Sequence, residues 1–314
     1  MAWTWRGIAA LVIGLATAVG AHPPATADVD DRPKGIGNTD GAPIAVRYQA
    51  NQDTLARLAT DPATPPELAA IAARWRGAQV LAFDPAGRGR LAVVLGDLHR
   101  ASSVAVVVPG SDVDLARFDN PTAPERSPYG MATALANATS VNSGQSRVAV
   151  VAWLGYDTPE GVGLDAASGR LAERGARSLV SFVAGLRTVL GDAVPIRLFC
   201  HSYGTVVCGL AAARTRVDDI VFTGSPGVRA RTAAELGTTA RVWAARADDD
   251  WIGWVPNIRL GDLGHGTDPT DPAFGARRFG TAGAHRHEDY YRPGTESLRN
   301  LARIALGETA AVRA

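Results

Sequence analysis

Two periodicities divide this chain. Residues 104–108, 148–153, 196–199, 219–223 and 241–245 are short, nearly unbroken runs of Val, Ile, Ala and aromatic residues. Such runs are expected of strands covered on both faces. Between them, apolar residues recur at helical spacing. Residues 131–138 read as a helix. In 169–190, Leu171, Leu179, Phe182, Val183, Leu186 and Leu190 fall near one face. Residues 203–213 form a helix rich in small side chains, and 295–306 a closing helix. Ahead of these, 79–84 and 91–97 read as strands joined by Pro85-Ala86-Gly87-Arg88-Gly89, an antiparallel hairpin. Residues 54–77 read as one or two helices broken between Pro62 and Pro66, and 119–129, with its Asn and prolines, as a loop. Strands alternating with helices after an opening hairpin predict an α/β fold, a mostly parallel sheet with helices on both faces. Chemistry in such sheets lies beyond the carboxyl ends of the strands.

Composition narrows the setting. The chain has 314 residues, is 46% hydrophobic and carries a formal net charge of +1. That suits a large core and gives no electrostatic case for nucleic acid as a partner. The chemical pieces are spread along most of the chain, so residues 44–314 read as one domain, with 44–78 as a helical N-terminal extension. Arg6, the apolar run 7–20 and Ala25-Thr26-Ala27 read as a secretory signal over 1–27, cleaved after Ala27. An uncleaved anchor is the alternative. Residues 28–43 read as a flexible lead-in. The expected location is secreted or in the cell envelope. An oxidising compartment permits a disulfide between the two cysteines, Cys200 and Cys208, which would staple the strand to the helix that follows it. The other reading is a pair of small buried residues.

The chemistry gathers around Cys200-His201-Ser202-Tyr203-Gly204. This is the nucleophile-elbow pattern with Cys in place of the first Gly: a sharp strand-to-helix turn exposes the Ser202 hydroxyl. A serine needs a base, and the base an orienting acid. Of six histidines, His22 falls in the signal, His99 precedes the first central strand, and His201 is expected to point away from Ser202. Among the late ones, His265, His285 and His287, the last is favoured because it sits just before the closing helix; His285 is the alternative. The acid should follow a strand between serine and base. Asp248, Asp249 and Asp250 qualify. Asp250 is favoured because Trp251-Ile252 should turn back to the core; Asp157 is a distant runner-up. Oxyanion donors are expected from the N–H of Tyr203 and from the loop Pro109-Gly110-Ser111, with Ser111 the second donor and Gly110 permitting close approach.

Together with Val-Pro-Gly-Ser at 108–111, Trp-Leu-Gly-Tyr-Asp-Thr-Pro at 153–159, Gly-Ser-Pro-Gly at 224–227, Asp-Trp-Ile at 250–252, Asp-Pro at 268–269, Phe-Gly-Ala at 274–276 and His-Glu-Asp-Tyr-Tyr at 287–291, the elbow motif resembles an actinobacterial branch of secreted α/β-hydrolases, often described only as a domain of unknown function. The resemblance covers about 79–307. It implies an α/β-hydrolase fold and a Ser202–Asp250–His287 triad, and supplies no substrate.

The resulting expectation is an exported serine hydrolase working through an acyl-enzyme, most plainly a carboxylic ester hydrolase on small-molecule or lipid-like esters. Trp251, Trp254, Phe274, Tyr290 and Tyr291 are candidates for an apolar pocket or, equally, for plain core. Association with the cell envelope, and acyltransfer, thioester or peptide cleavage by the same triad, stay open, as does a non-catalytic envelope-binding protein. No cofactor is expected, and no metal, since the cysteines and late histidines lack zinc-ligand spacing.

Overall fold

The computed structural model describes residues 42–143 and 147–314. The expected signal and most of the lead-in lie outside them. Helices α1 (Ile44–Thr60) and α2 (Pro66–Arg74) come first, then strands β1 (Gln79–Asp84) and β2 (Arg90–Leu95). Next are β3 (Ser103–Val108), α3 (Pro128–Ser143), β4 (Val148–Leu154), the short α4 (Leu164–Ala167) and α5 (Arg170–Leu190). Strand β5 (Ile196–His201), α6 (Gly204–Ala211), β6 (Asp219–Thr223), β7 (Arg241–Ala245), β8 (Arg277–Arg278) and α7 (Glu296–Leu306) complete the order.

All eight strands form one sheet, in the order β1-β2-β4-β3-β5-β6-β7-β8. The β1–β2 and β2–β4 pairs are antiparallel, and every pair from β4 to β8 is parallel. The chain passes from β3 outward to β4, then crosses back over β3 to β5. The direction of winding therefore reverses between β3 and β5, and the loops leaving their carboxyl ends splay apart into a crevice.

Alternation along each strand sorts the core. Val104, Val106 and Val108 face one layer with α5 and α6. Ala105 and Val107 face the other, with Leu55 of α1, Leu135 of α3 and Leu301 of α7. Both faces are covered, so the strands read as continuous apolar runs.

Three boundaries differ from expectation. Helix α1 begins at Ile44 rather than near 54, because Pro43 can precede a helix and Ile44 and Leu55 reach the core from one amphipathic segment. Helix α3 begins at Pro128, a residue tolerated in a first turn, and runs to Ser143. Strand β8 is two exposed arginines paired to Trp243 and Ala244, too short and polar to announce itself.

The amino-terminal end of the sheet is fastened by a buried polar cluster. Asp219 accepts hydrogen bonds from Arg197 Nε at 2.8 Å, Arg241 Nε at 2.7 Å and Trp243 Nε1 at 2.8 Å. Arg197 also donates to Ser103 Oγ, which donates in turn to the Ala305 carbonyl of α7 at 2.9 Å.

Candidate active site

Strand β5 ends at His201 and α6 starts at Gly204, leaving Ser202 in a tight turn at φ +55°. A non-glycine residue there is strained and persists only where its surroundings impose it. The Ser202 N–H donates to the Thr223 carbonyl of β6 at 3.0 Å, and the Ser202 carbonyl accepts from the Thr205 hydroxyl at 2.7 Å. Behind the turn, Cys200 and Cys208 are joined as a disulfide, and both are fully buried. The bond ties the last turn of β5 to the middle of α6.

Ser202, His287 and Asp250 converge from three separate loops. His287 Nε2 lies 2.8 Å from Ser202 Oγ, and His287 Nδ1 lies 2.9 and 3.0 Å from the two Asp250 oxygens. With Nδ1 carrying the proton toward the carboxylate, Nε2 is left as an acceptor facing the hydroxyl. Asp250 also accepts from the Ile252 N–H at 2.9 Å and from the Tyr290 hydroxyl at 2.6 Å. Burial alone would raise the Asp250 pKa. The hydrogen bond and charge of His287, with the bonds from Tyr290 and Ile252, outweigh it and hold the carboxyl below its ordinary range.

Two glycines make room. A Cβ at Gly110 would fall 2.5 Å from Ser202 Cβ and 3.0 Å from its Oγ. A Cβ at Gly224, which has φ +56°, would fall 3.0 Å from the His287 ring and 3.1 Å from Asp250 Oδ2. The Gly110 loop is held from behind. The Tyr156 hydroxyl donates to the Pro109 carbonyl at 2.6 Å, and Thr158 exchanges bonds with the backbone of Val113 at 2.7 and 3.0 Å. Among the described residues, neither the Ser111 nor the Tyr203 N–H has an acceptor within the protein. Two donors beside a serine, unspent on the fold, are what an oxyanion would use.

The alternatives lie elsewhere. Asp249 and His285 pair with each other at 3.3 Å on the exposed surface, and Asp248 is exposed. Asp157 forms an ion pair with Arg90 at 2.8 Å. His265 is buried, with Nε2 2.7 Å from the Ala166 carbonyl. His99 lies in an exposed turn.

Two expectations need correction. His201 does not turn away: its ring packs 4.8 Å from that of His287 and 5.6 Å from Tyr290. Burial first, then the neighbouring His287 charge, lowers its pKa to about 3, so it is a neutral wall behind the imidazole. Of Trp251-Ile252, only Ile252 turns to the core; the exposed Trp251 ring lies 4.9 Å from His287. Of the aromatic candidates, Phe274, Tyr290 and Tyr291 take the core alternative: all three are fully buried. Tyr290 and Tyr156 emerge as positioning residues. Both sit in motifs visible in the sequence, but nothing in a tyrosine's spacing says where its hydroxyl ends.

A mixed sheet with this winding, and a serine, histidine and carboxylate at its carboxyl edge, define the class of α/β-hydrolases. The family model described as alpha/beta hydrolase matches residues 84–260, and the chain belongs to that family. His287 lies beyond the matched residues. An uncharacterized protein of Mycobacterium tuberculosis H37Rv is 28% identical over an alignment of 353 residues, covering 89% of this chain and 53% of the relative. A second from the same strain is 31% identical over 169 residues, covering 51% and 62%. The chain thus spans about half the length of the first of these relatives. Among solved structures, a serine hydrolase from Xanthomonas campestris described as without a lid is 15% identical, with TM-score 0.40, covering 73% of this chain and 93% of its own. Esterase LipW from Mycobacterium marinum is 12% identical, with TM-score 0.40, covering 85% and 89%.

Proposed function

We propose that this chain is an exported serine hydrolase that cleaves carboxylic esters through an acyl-enzyme on Ser202. The observation that carries the reading is the continuous relay from Ser202 Oγ through His287 to Asp250, with contacts of 2.8 and 2.9 Å. As Ser202 Oγ attacks the ester carbonyl, its proton passes to His287 Nε2, and Asp250 stabilises the imidazolium through Nδ1–H. The oxyanion takes the free N–H groups of Ser111 and Tyr203. His287 then returns the proton to the departing alcohol oxygen, leaving the acyl group on Ser202. Water, deprotonated by the same Nε2, releases the acid and restores the serine. Export rests on the leader-like segment 1–27, and a buried Cys200–Cys208 disulfide agrees with an oxidising compartment.

Labelling with a fluorophosphonate tests the activated serine. Wild-type protein should label, and Ser202→Ala should abolish labelling and lower kcat by about 10⁴-fold or more. A panel of esters, thioesters and amides of graded chain length then separates the leaving groups. Folded wild-type protein that neither labels nor turns over any ester would sink the proposal and favour a binding role.

A further inference from the structure

Among the described residues, the two surface excursions that flank Ser202 carry most of the large apolar side chains left in water. Val162, Leu164, Trp254, Ile258, Leu260 and Leu263 are all exposed, Val162 at 81%, Trp254 at 76% and Leu260 at 72%. Two of them lie in the excursion 157–169 after β4 and four in 251–264 after β7. Exposed apolar residues scattered singly need no account, but a contiguous set marks a binding surface.

The two excursions are tied to each other. Ser168 bridges Leu263, the Gly264 N–H donates to the Ala167 carbonyl at 2.8 Å, and His265 Nε2 lies 2.7 Å from the Ala166 carbonyl. Arg229, itself buried, donates to the Asp262 side chain at 2.8 Å and its carbonyl at 2.7 Å. The Leu260–Leu263 hairpin is thus fastened from below while its side chains face solvent.

Both excursions also abut the reactive centre. The Tyr203 hydroxyl, one residue from Ser202, donates to the Ser168 carbonyl at 2.8 Å. Pro159 accepts from the Asp112 N–H of the oxyanion-side loop at 2.8 Å. The second excursion starts with Trp251 against His287. An apolar surface that begins with Trp251 at His287 lies where the chain of a bound ester must run. Its charges are mostly acidic, Asp157, Glu160, Asp165 and Asp262 against Arg259, with no cationic stripe to draw an anionic surface.

From this we infer that the paired excursions form a docking platform for the surface of a neutral, ester-bearing lipid aggregate, from which a long acyl chain is drawn to Ser202. The inference deepens the ester reading above and rests on it for the catalytic step. The platform selects aggregated long-chain esters over dissolved short-chain ones through the apolar area it buries.

The test separates docking from catalysis. Ser202→Ala protein, which cannot turn over, is sedimented with phosphatidylcholine vesicles, alone and carrying V162S/I258S/L260S, three exposed side chains. The expected result is that Ser202→Ala partitions onto vesicles, that partition changes little between low and high salt, and that the triple substitution weakens it about tenfold or more. In the active protein, the same triple substitution should lower the ratio of turnover on a micellar long-chain ester to that on a soluble butyrate ester by about tenfold, with an unchanged thermal midpoint as the check on folding. Vesicle binding by Ser202→Ala without ester turnover by wild type would remove the ester reading and leave the docking surface standing. Absence of vesicle binding, or binding and ratio untouched by the triple substitution, overturns the platform. So does a wild-type dimer in sedimentation velocity that the triple substitution makes monomeric, which would assign the face to a second copy.

Discussion

Asp219 and Asp250 are both buried carboxylates, and they occupy opposite ends of the same sheet. Asp219 opens β6 and meets two guanidinium groups and an indole N–H. Asp250 follows β7 and meets an imidazole, a phenol and a backbone N–H. Burial pushes each pKa up, and the partners of each overcome it and hold it below the ordinary 3.8. A perturbed buried carboxylate therefore does not by itself mark chemistry. The difference lies in the partner. Arg197 and Arg241 spend their donors on the fold, and a guanidinium has no neutral form to offer as a base. His287 can change charge, and its second nitrogen faces a strained, partly open serine.

The sharpest way to break this comparison is Asp250→Asn. It keeps shape but removes the charge that orients His287, so kcat should fall by about 10⁴-fold, read from steady-state rates on a soluble ester. A loss below about tenfold would make Asp250 a structural group like Asp219.

Asp219→Ala should do the reverse. It leaves Arg197 buried without its counter-charge, at a cost of about 3 kcal/mol or more in urea unfolding, while activity per folded molecule stays within about twofold. The pH dependence follows from the direction of the shift. A folded-state pKa below the ordinary value means that the ionised Asp219 contributes stability that is complete above about pH 4 and is lost as pH falls through the folded value. The variant should therefore show a flatter acid limb of stability than wild type.

A smaller effect is expected at Tyr290. Tyr290→Phe removes a hydrogen bond to a charged group and leaves the Ala247 N–H, which now bonds the Tyr290 oxygen at 2.9 Å, without its acceptor. kcat/KM should fall about tenfold, and the acid limb of the rate profile should move to higher pH as Asp250 loses a donor to its charged form. A drop in stability with the rate profile unmoved would leave Tyr290 a packing residue only. Least of all should come from Asp249→Asn or His285→Ala. Theirs is an exposed pair one and two positions from the functional one, and rates should stay within about twofold.

Much of the site was legible because its residues carry their own signatures. Ser202 sits in a strand–turn–helix pattern, Gly110 ends a buried strand, and His287 precedes a capped helix. The fold class followed from apolar runs whose period changed between strands and helices. What stayed hidden depends on where side chains end. The inward turn of His201 was misread because it follows from the twist of the elbow. The sequence leaves Tyr290 open between pocket and core, because a tyrosine in the core and one that serves a carboxylate look alike there. Gly224 stood in a visible motif, but its need for an absent Cβ appears only once His287 and Asp250 are set against it.

The sequence alone determined most of the segments that become strands and helices, because burial period and turn chemistry are local properties of the chain. It also favoured Asp250 among three adjacent aspartates and His287 among the late histidines. Only the tertiary structure shows these side chains set against Ser202. Asp250 and His287 are 37 residues apart and His287 is 85 from Ser202, and their meeting rests on side-chain directions set by parallel strand register and by packing across loops. The same holds for the apolar excursions. Nothing in their spacing sets them apart from buried apolar residues, and it is the fold that leaves them in water.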